Sequence, residues 1–165
     1  MDNLELGATL EYINKIHGRT MRVVRCMPAE QVDWSYREGK FTLGDLARHI
    51  ATVNRYMFAE TLQGGPSRYA GCGRELAPTH NEIVSLMETL HEETVGIIGA
   101  VPDLNAKRVT PDGAAISIRK WLRAMVEHEV HHRGQIYIYL AILNVPTPPL
   151  YGLTSEQLLE RSARS

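Results

Sequence analysis

The stretch Trp121–Leu140, WLRAMVEHEVHHRGQIYIYL, carries three of the chain's seven histidines within five residues. With Trp121 set at zero and about 100° added per residue on a helical wheel, Met125, His128, His132, Tyr139 and Leu143 all fall within about 40° of it. One face of a single helix thus combines large apolar side chains with two imidazoles one turn apart. His131 falls roughly 80° to one side and Arg133 about 120° to the other, which predicts that both point to the bundle's flank or to solvent. Glu129, about 80° round, and Gln135, about 40° the other way, lie at the edges of the stripe.

Three further segments carry apolar residues at helical spacing. Leu6, Leu10, Ile13, Met21 and Val24 form a first stripe that also holds His17, and Pro28 with the irregular MPAEQVDWSYREGKF ends that helix. Thr42 is placed to cap a second helix running to about Gln63, with Leu46, His49, Ile50, Val53 and Met57 on its inner face. After a long Gly/Pro-dense loop, Thr79 caps a third helix, and Glu82 completes the S/T-x-x-E box. Its face is Ile83, Leu86, Met87, Leu90, Thr94, Ile97 and Val101. Pro111-Asp112-Gly113 is a turn signal inside KRVTPDGAAISI and predicts a short hairpin or extended loop there. The helix that opened this reading then runs from Ser117 to about Leu143, and TSEQLLERSARS forms a short terminal helix capped by Thr154 or Ser155. These expectations amount to an all-α fold, a four-helix bundle with long crossover connections. At 165 residues and 44% hydrophobic, the chain has enough material for one core and too little for two ordinary domains, so residues 1–165 are read as a single domain.

Composition narrows the function classes. Eighteen Lys+Arg against 19 Asp+Glu leaves no basic footprint to attract phosphate backbones, so nucleic acid is not an expected partner. Cys26 and Cys72 form no C-x-x-C pair, which fits a reduced cytoplasmic home. The N-terminus lacks a signal-peptide pattern, and no apolar run approaches a membrane span.

Two imidazoles on a buried face would carry a desolvation cost if left without partners. A divalent metal removes that cost for both, since i, i+4 spacing lets two side chains of one helix reach a single ion. His49, on the core stripe of the second helix, is the natural third ligand. Three histidines leave coordination positions open, which marks catalytic sites more often than structural ones. Zinc, nickel and iron all accept imidazole, so the sequence does not choose among them. His17 reads as a hydrogen-bonded core residue, His80 and His91 as ordinary helix-surface or loop residues, and His131 as a surface group. Glu129 can support a ligand, Gln135 can orient a ligand or water, and Tyr139 points toward the site; Glu129 and Gln135 fit equally well as core-edge polar residues bonded to backbone.

His128-Glu129-Val130-His131-His132 also matches H-E-x-x-H, with Glu129 as the would-be base of a metallopeptidase. The extended form of that motif needs Gly at position 135 and His at 138, where this chain has Gln135 and Ile138. Glu156 or Glu160 could serve as a downstream ligand, but such enzymes hold the peptide on an edge strand, and the short RVTPDG segment is the only candidate strand ahead of His128. The peptidase reading is a minor alternative.

His49 in LGDLARHIATVNRYM, followed far downstream by HEVHHRGQIYIYLAILNVPTPPLYG, resembles the DinB/YfiT-like family of helical metalloproteins, which is unrelated to the DNA polymerase sharing the DinB name. The resemblance spans about Leu4 to Gly152, and its specific core is H-x-x-x-H-R-G-Q plus the upstream histidine. It implies a four-helix bundle with a long crossover, frequent homodimers, and a divalent metal held by His49, His128 and His132 with water at the remaining positions. The wider family includes thiol S-transferases that use bacillithiol and isomerases that use mycothiol; the short tail here argues against the latter, which carry an additional C-terminal domain. The expectation is a metal-dependent S-transferase that joins a low-molecular-weight thiol to a small electrophile. A non-catalytic metal-binding or ligand-binding stress protein is the rival from another class.

Overall fold

The computed structural model describes residues 3–66 and 68–163. Its helices are α1 (Asn3–Val24), α2 (Leu43–Val53), α3 (Glu60–Gln63), α4 (His80–Gly99), α5 (Ile118–Ile142) and α6 (Ser155–Ser162), with strands β1 (Lys107–Val109) and β2 (Ala115–Ser117) before α5. Three threonines start helices by the same device. The hydroxyls of Thr42, Thr79 and Thr154 accept from the backbone N–H three residues on, and Asp45, Glu82 and Gln157 return the bond to the threonine N–H. The predicted hairpin forms with Arg108 opposite Ile116, and Gly113 takes φ +84° at its turn. Arg164 and Ser165 of the expected terminal helix lie outside the described residues.

α1, α2, α4 and α5 form the bundle, with α1 and α2 on one diagonal and α4 and α5 on the other. The direction of each helix follows from what it buries. Val23 and Val24 at the end of α1 share one apolar cluster with Leu43 and Leu46 at the start of α2, Ile83 and Met87 early in α4, and Ile136 and Leu140 late in α5. Leu6 and Ile13 share the other cluster with Phe58, Ile98, Ile118 and Leu122. α1 and α5 therefore run one way, α2 and α4 the other. Two successive helices that run parallel need a connection returning the full length of the bundle, and residues 64–79 supply it.

Between the two apolar clusters lies a belt of buried polar groups: His17 and Thr20 on α1, Thr52 and Asn54 on α2 and just past it, Thr94 on α4, Glu129 and Arg133 on α5. His128 and His132, half-buried, flank Glu129 on the same stretch of α5.

The second helix was expected to run unbroken to Gln63. Instead Asn54–Ala59 form a π-helical segment between α2 and α3. Widening from i→i+4 to i→i+5 bonding shifts the following side chains by about one position. Phe58 is accordingly buried where Met57 was predicted, and Met57 is only partly covered. Arg133, predicted at the flank or in solvent, is also buried, because the tail of the chain covers that side of α5. His131 is exposed, as expected.

The crossover is fastened to α2 by buried polar bonds. Arg48, fully buried, donates to the carbonyls of Cys72 at 2.7 Å and Ala77 at 2.8 Å and to Asp45 at 2.9 Å. Gly44 makes room for it: a Cβ there would meet both guanidinium Nη atoms at 2.9 Å and the Val32 carbonyl at 3.0 Å. Thr52 donates to Gly71 at 2.8 Å. Among the described residues, no helix is long and apolar enough to cross a membrane.

Candidate metal centre

α2 and α5 run antiparallel in contact, which sets His49 opposite the turn that carries His128 and His132. Ring centroids are 5.1 Å apart for His49 and His128, 4.6 Å for His49 and His132, and 4.5 Å for His128 and His132. Each ring offers one nitrogen lying within 4.8 Å of the other two, and among the described residues no thiol or carboxylate joins them. Glu156 and Glu160 are therefore not part of the group.

The three rings are held neutral. Burial, then the charge that His132 would carry, push His49 down to about 4. Burial and both neighbouring rings push His128 to about 3. His132 also lies below its ordinary value, burial outweighing the support of Gln135. At neutral pH no proton competes for the lone pairs.

Hydrogen bonds on the outer side fix which nitrogen faces inward. Gln135 Oε1 is an acceptor 2.7 Å from His132 Nδ1, so that nitrogen carries the proton and Nε2 keeps its lone pair. His49 Nδ1 lies 3.0 Å from the Tyr69 hydroxyl, which can take the same role. Burial, then the neighbouring Cys72 side chain, raise the Tyr69 phenol above its usual value and keep it protonated. His49 Nε2 and His128 Nε2 approach to 3.2 Å, and among the described residues His128 Nδ1 is buried without a partner. Neutral nitrogen donors that converge while two of the rings are braced from behind fit a divalent ion. Tyr69 sits on the crossover loop, and periodicity gave no sign of it.

A cavity of about 550 Å³ lies on the far side of Phe41 and Gln135, lined by these and by Tyr36, Ile138, Tyr139 and Ile142 among others, and by none of the three histidines. Phe41 packs on His49 with centroids 5.2 Å apart, and the Tyr139 hydroxyl donates to the Phe41 carbonyl at 3.0 Å. Tyr139 thus shapes this cavity through Phe41.

Glu129 turns into the polar belt instead. It is 3% exposed, accepts from Asn54 Nδ2 at 2.8 Å and stands 3.7 Å from His17 Nδ1. Burial alone would raise its carboxyl, but His17, Thr20 and Asn54 together hold it below the usual range. His91, expected to be an ordinary surface residue, is half-buried and stacks on His17 at 3.7 Å with planes 3° apart. That pairing crosses from α4 to α1, so neither helix shows it alone. His80 binds the Val24 carbonyl at 3.1 Å.

The family model described as the DinB superfamily matches residues 13–136. The uncharacterized protein YjoA of Bacillus subtilis (strain 168) is 25% identical over 125 residues, 72% of this chain and 79% of that protein. A crystal structure of a DinB-like protein from Bacillus cereus ATCC 10987 superimposes with TM-score 0.72 at 17% identity, covering 86% of this chain and 94% of that one. The B. subtilis YjoA crystal structure, also titled DinB-like, gives 0.70 at 19% identity over 87% and 96%. The helical bundle, the braced histidine group and the match over most of its length agree that the chain belongs to the DinB superfamily.

Proposed function

We propose that this protein is a divalent-metal-dependent transferase that joins a small thiol to an electrophilic small molecule. The observation that carries the reading is the convergence of His49, His128 and His132, with no fourth protein ligand among the described residues, near an apolar cavity whose Phe41 and Gln135 touch two of the rings. A zinc, nickel or iron ion held there would supply positive charge that favours the deprotonated form of a water or thiol. Gln135 and Tyr69 keep the ring nitrogens aimed, and Phe41, Tyr36 and Tyr139 offer an apolar surface for the body of the electrophile. In the reaction the thiol proton leaves to solvent, sulfur forms the new S–C bond, and the leaving group departs with the bonding pair. The belt position of Glu129, bonded to Asn54, disfavours its use as a peptidase base.

The test begins with elemental analysis of untagged protein and of His49→Ala, His128→Ala, His132→Ala and His131→Ala. Near-stoichiometric metal in the wild type and in His131→Ala alone supports the site. A screen of small thiols with a generic electrophile follows, and activity lost in a folded His128→Ala supports the transferase reading. Metal without any conjugating activity favours a non-catalytic binder, and no metal in any sample overturns the proposal.

A further inference from the structure

Among the described residues two arginines are more than nine-tenths buried, and they are satisfied very differently. Arg48 has the Asp45 carboxylate and two carbonyls, all within 2.9 Å. Arg133, 4% exposed, reaches among the described residues only the Ile16 carbonyl at 3.5 Å and the Tyr151 hydroxyl at 3.3 Å. Both are neutral and both bonds are long, and none of the ion pairs among the described residues includes Arg133. A buried guanidinium without an anion is costly, and five fixed donors in a planar fork are suited to an oxyanion.

Arg133 lines a cavity of about 560 Å³ between α5 and residues 147–156, beside Tyr151, whose hydroxyl meets its guanidinium. Val130, Leu150 and Leu153 give it an apolar wall, and Thr154 and Ser155 bring the start of α6 to the other side. Positive charge gathers at its rim. Arg19 stacks over the Tyr151 ring at 4.7 Å, Arg22 bonds the Pro149 carbonyl at 3.3 Å, and neither has a carboxylate at ion-pairing distance among the described residues. Among the described residues Glu156 is the one acid in the wall, and its carboxylate is engaged by its own amide and by Thr154 rather than by Arg133. The cavity shares no lining residue with the one near the histidines.

We infer that this cavity binds a small organic anion, with a carboxylate or phosphate group on Arg133 and the Tyr151 hydroxyl and an apolar body against Val130, Leu150 and Leu153. It is a second site, independent of the metal centre. The experiment titrates hexanoate, hexyl phosphate and hexan-1-ol into the purified protein, read by calorimetry. One anion binds saturably and at least tenfold more tightly than the alcohol, and the carboxylate and phosphate arms show which headgroup the site prefers. Arg133→Met abolishes that binding, Tyr151→Phe weakens it several-fold, and Glu156→Gln strengthens it by removing a like charge, all with metal content unchanged. Tyr151 and Glu156 are exposed, so their variants decide the matter even if Arg133→Met does not fold. No binding by either anion, or equal affinity in the wild type, Tyr151→Phe and Glu156→Gln, overturns the inference and leaves Arg133 as a strut between α1 and the tail.

Discussion

Replacing Glu129 separates the two roles that an H-E-x-x-H motif allows its glutamate. In Glu129→Ala, Asn54 Nδ2 loses its acceptor at 2.8 Å and His17 loses its neighbour at 3.7 Å, both in a region closed to water. A buried donor left unsatisfied costs about 1–3 kcal/mol, and the vacated volume adds to that, so the expected loss is about 3–4 kcal/mol. For a chain of this size each kcal/mol moves Tm by about 2–4 °C, which predicts a fall of about 10 °C. Glu129→Gln keeps an acceptor for Asn54 and should lose only about 1 kcal/mol. Urea unfolding of the two variants measures both losses, and elemental analysis of the folded fractions should show wild-type metal content. The reasoning is refuted if Glu129→Ala is as stable as wild type, or if Glu129→Gln folds normally and loses its metal, since the carboxylate would then belong to the metal centre.

Metal-free protein should lose stability on mild acidification. His49 and His91 are pushed to about 4 and His128 to about 3 in the folded state, against an ordinary 6.5, so between pH 6.5 and 4 the unfolded chain binds more protons and stability falls as pH falls. A Tm series in chelator from pH 7.5 to 4 checks this; His91→Gln should flatten the decline, and a constant Tm in the wild type would contradict the assignment. Gln135→Leu and Tyr69→Phe, each removing the brace behind one imidazole, should weaken divalent-metal affinity by about 10–100-fold. Competition with a chelator reads the loss, and unchanged affinity in both would mean that the outer hydrogen bonds do not position the ligands.

What the sequence makes legible here is whatever one element decides alone. The threonine caps at positions 42 and 79 and the inward aim of His128 and His132 follow from local chemistry and one helical period. Arg133 and Glu129 show the limit. A wheel with a single inner face places them at or beyond its edge, yet α5 is flanked by α1 on one side and α2 on the other and is covered in part by the chain's tail, so it is buried on more than one face. The His17–His91 stack and the Tyr69 brace arise where separate segments meet, and neither leaves a periodic trace. The shift from Met57 to Phe58 has a different origin, since a π turn changes the period itself.

That π turn also makes the chain tolerant of a change in length at one place. Deleting a single residue within Asn54–Ala59 could let α2 continue as an unbroken α-helix into α3, with no loss of helical content. The residue removed and the widened turn abolished then offset each other, about 100° against about 100°, so everything downstream keeps its place. Phe58 would keep Trp121, whose ring it meets at 4.6 Å, and the crossover that returns Tyr69 to His49 would start from the same side of the bundle. A one-codon deletion here should therefore spare the histidine group, where a one-codon deletion in α5, which has no widened turn to give up, would turn one part of that helix by about 100° against the other.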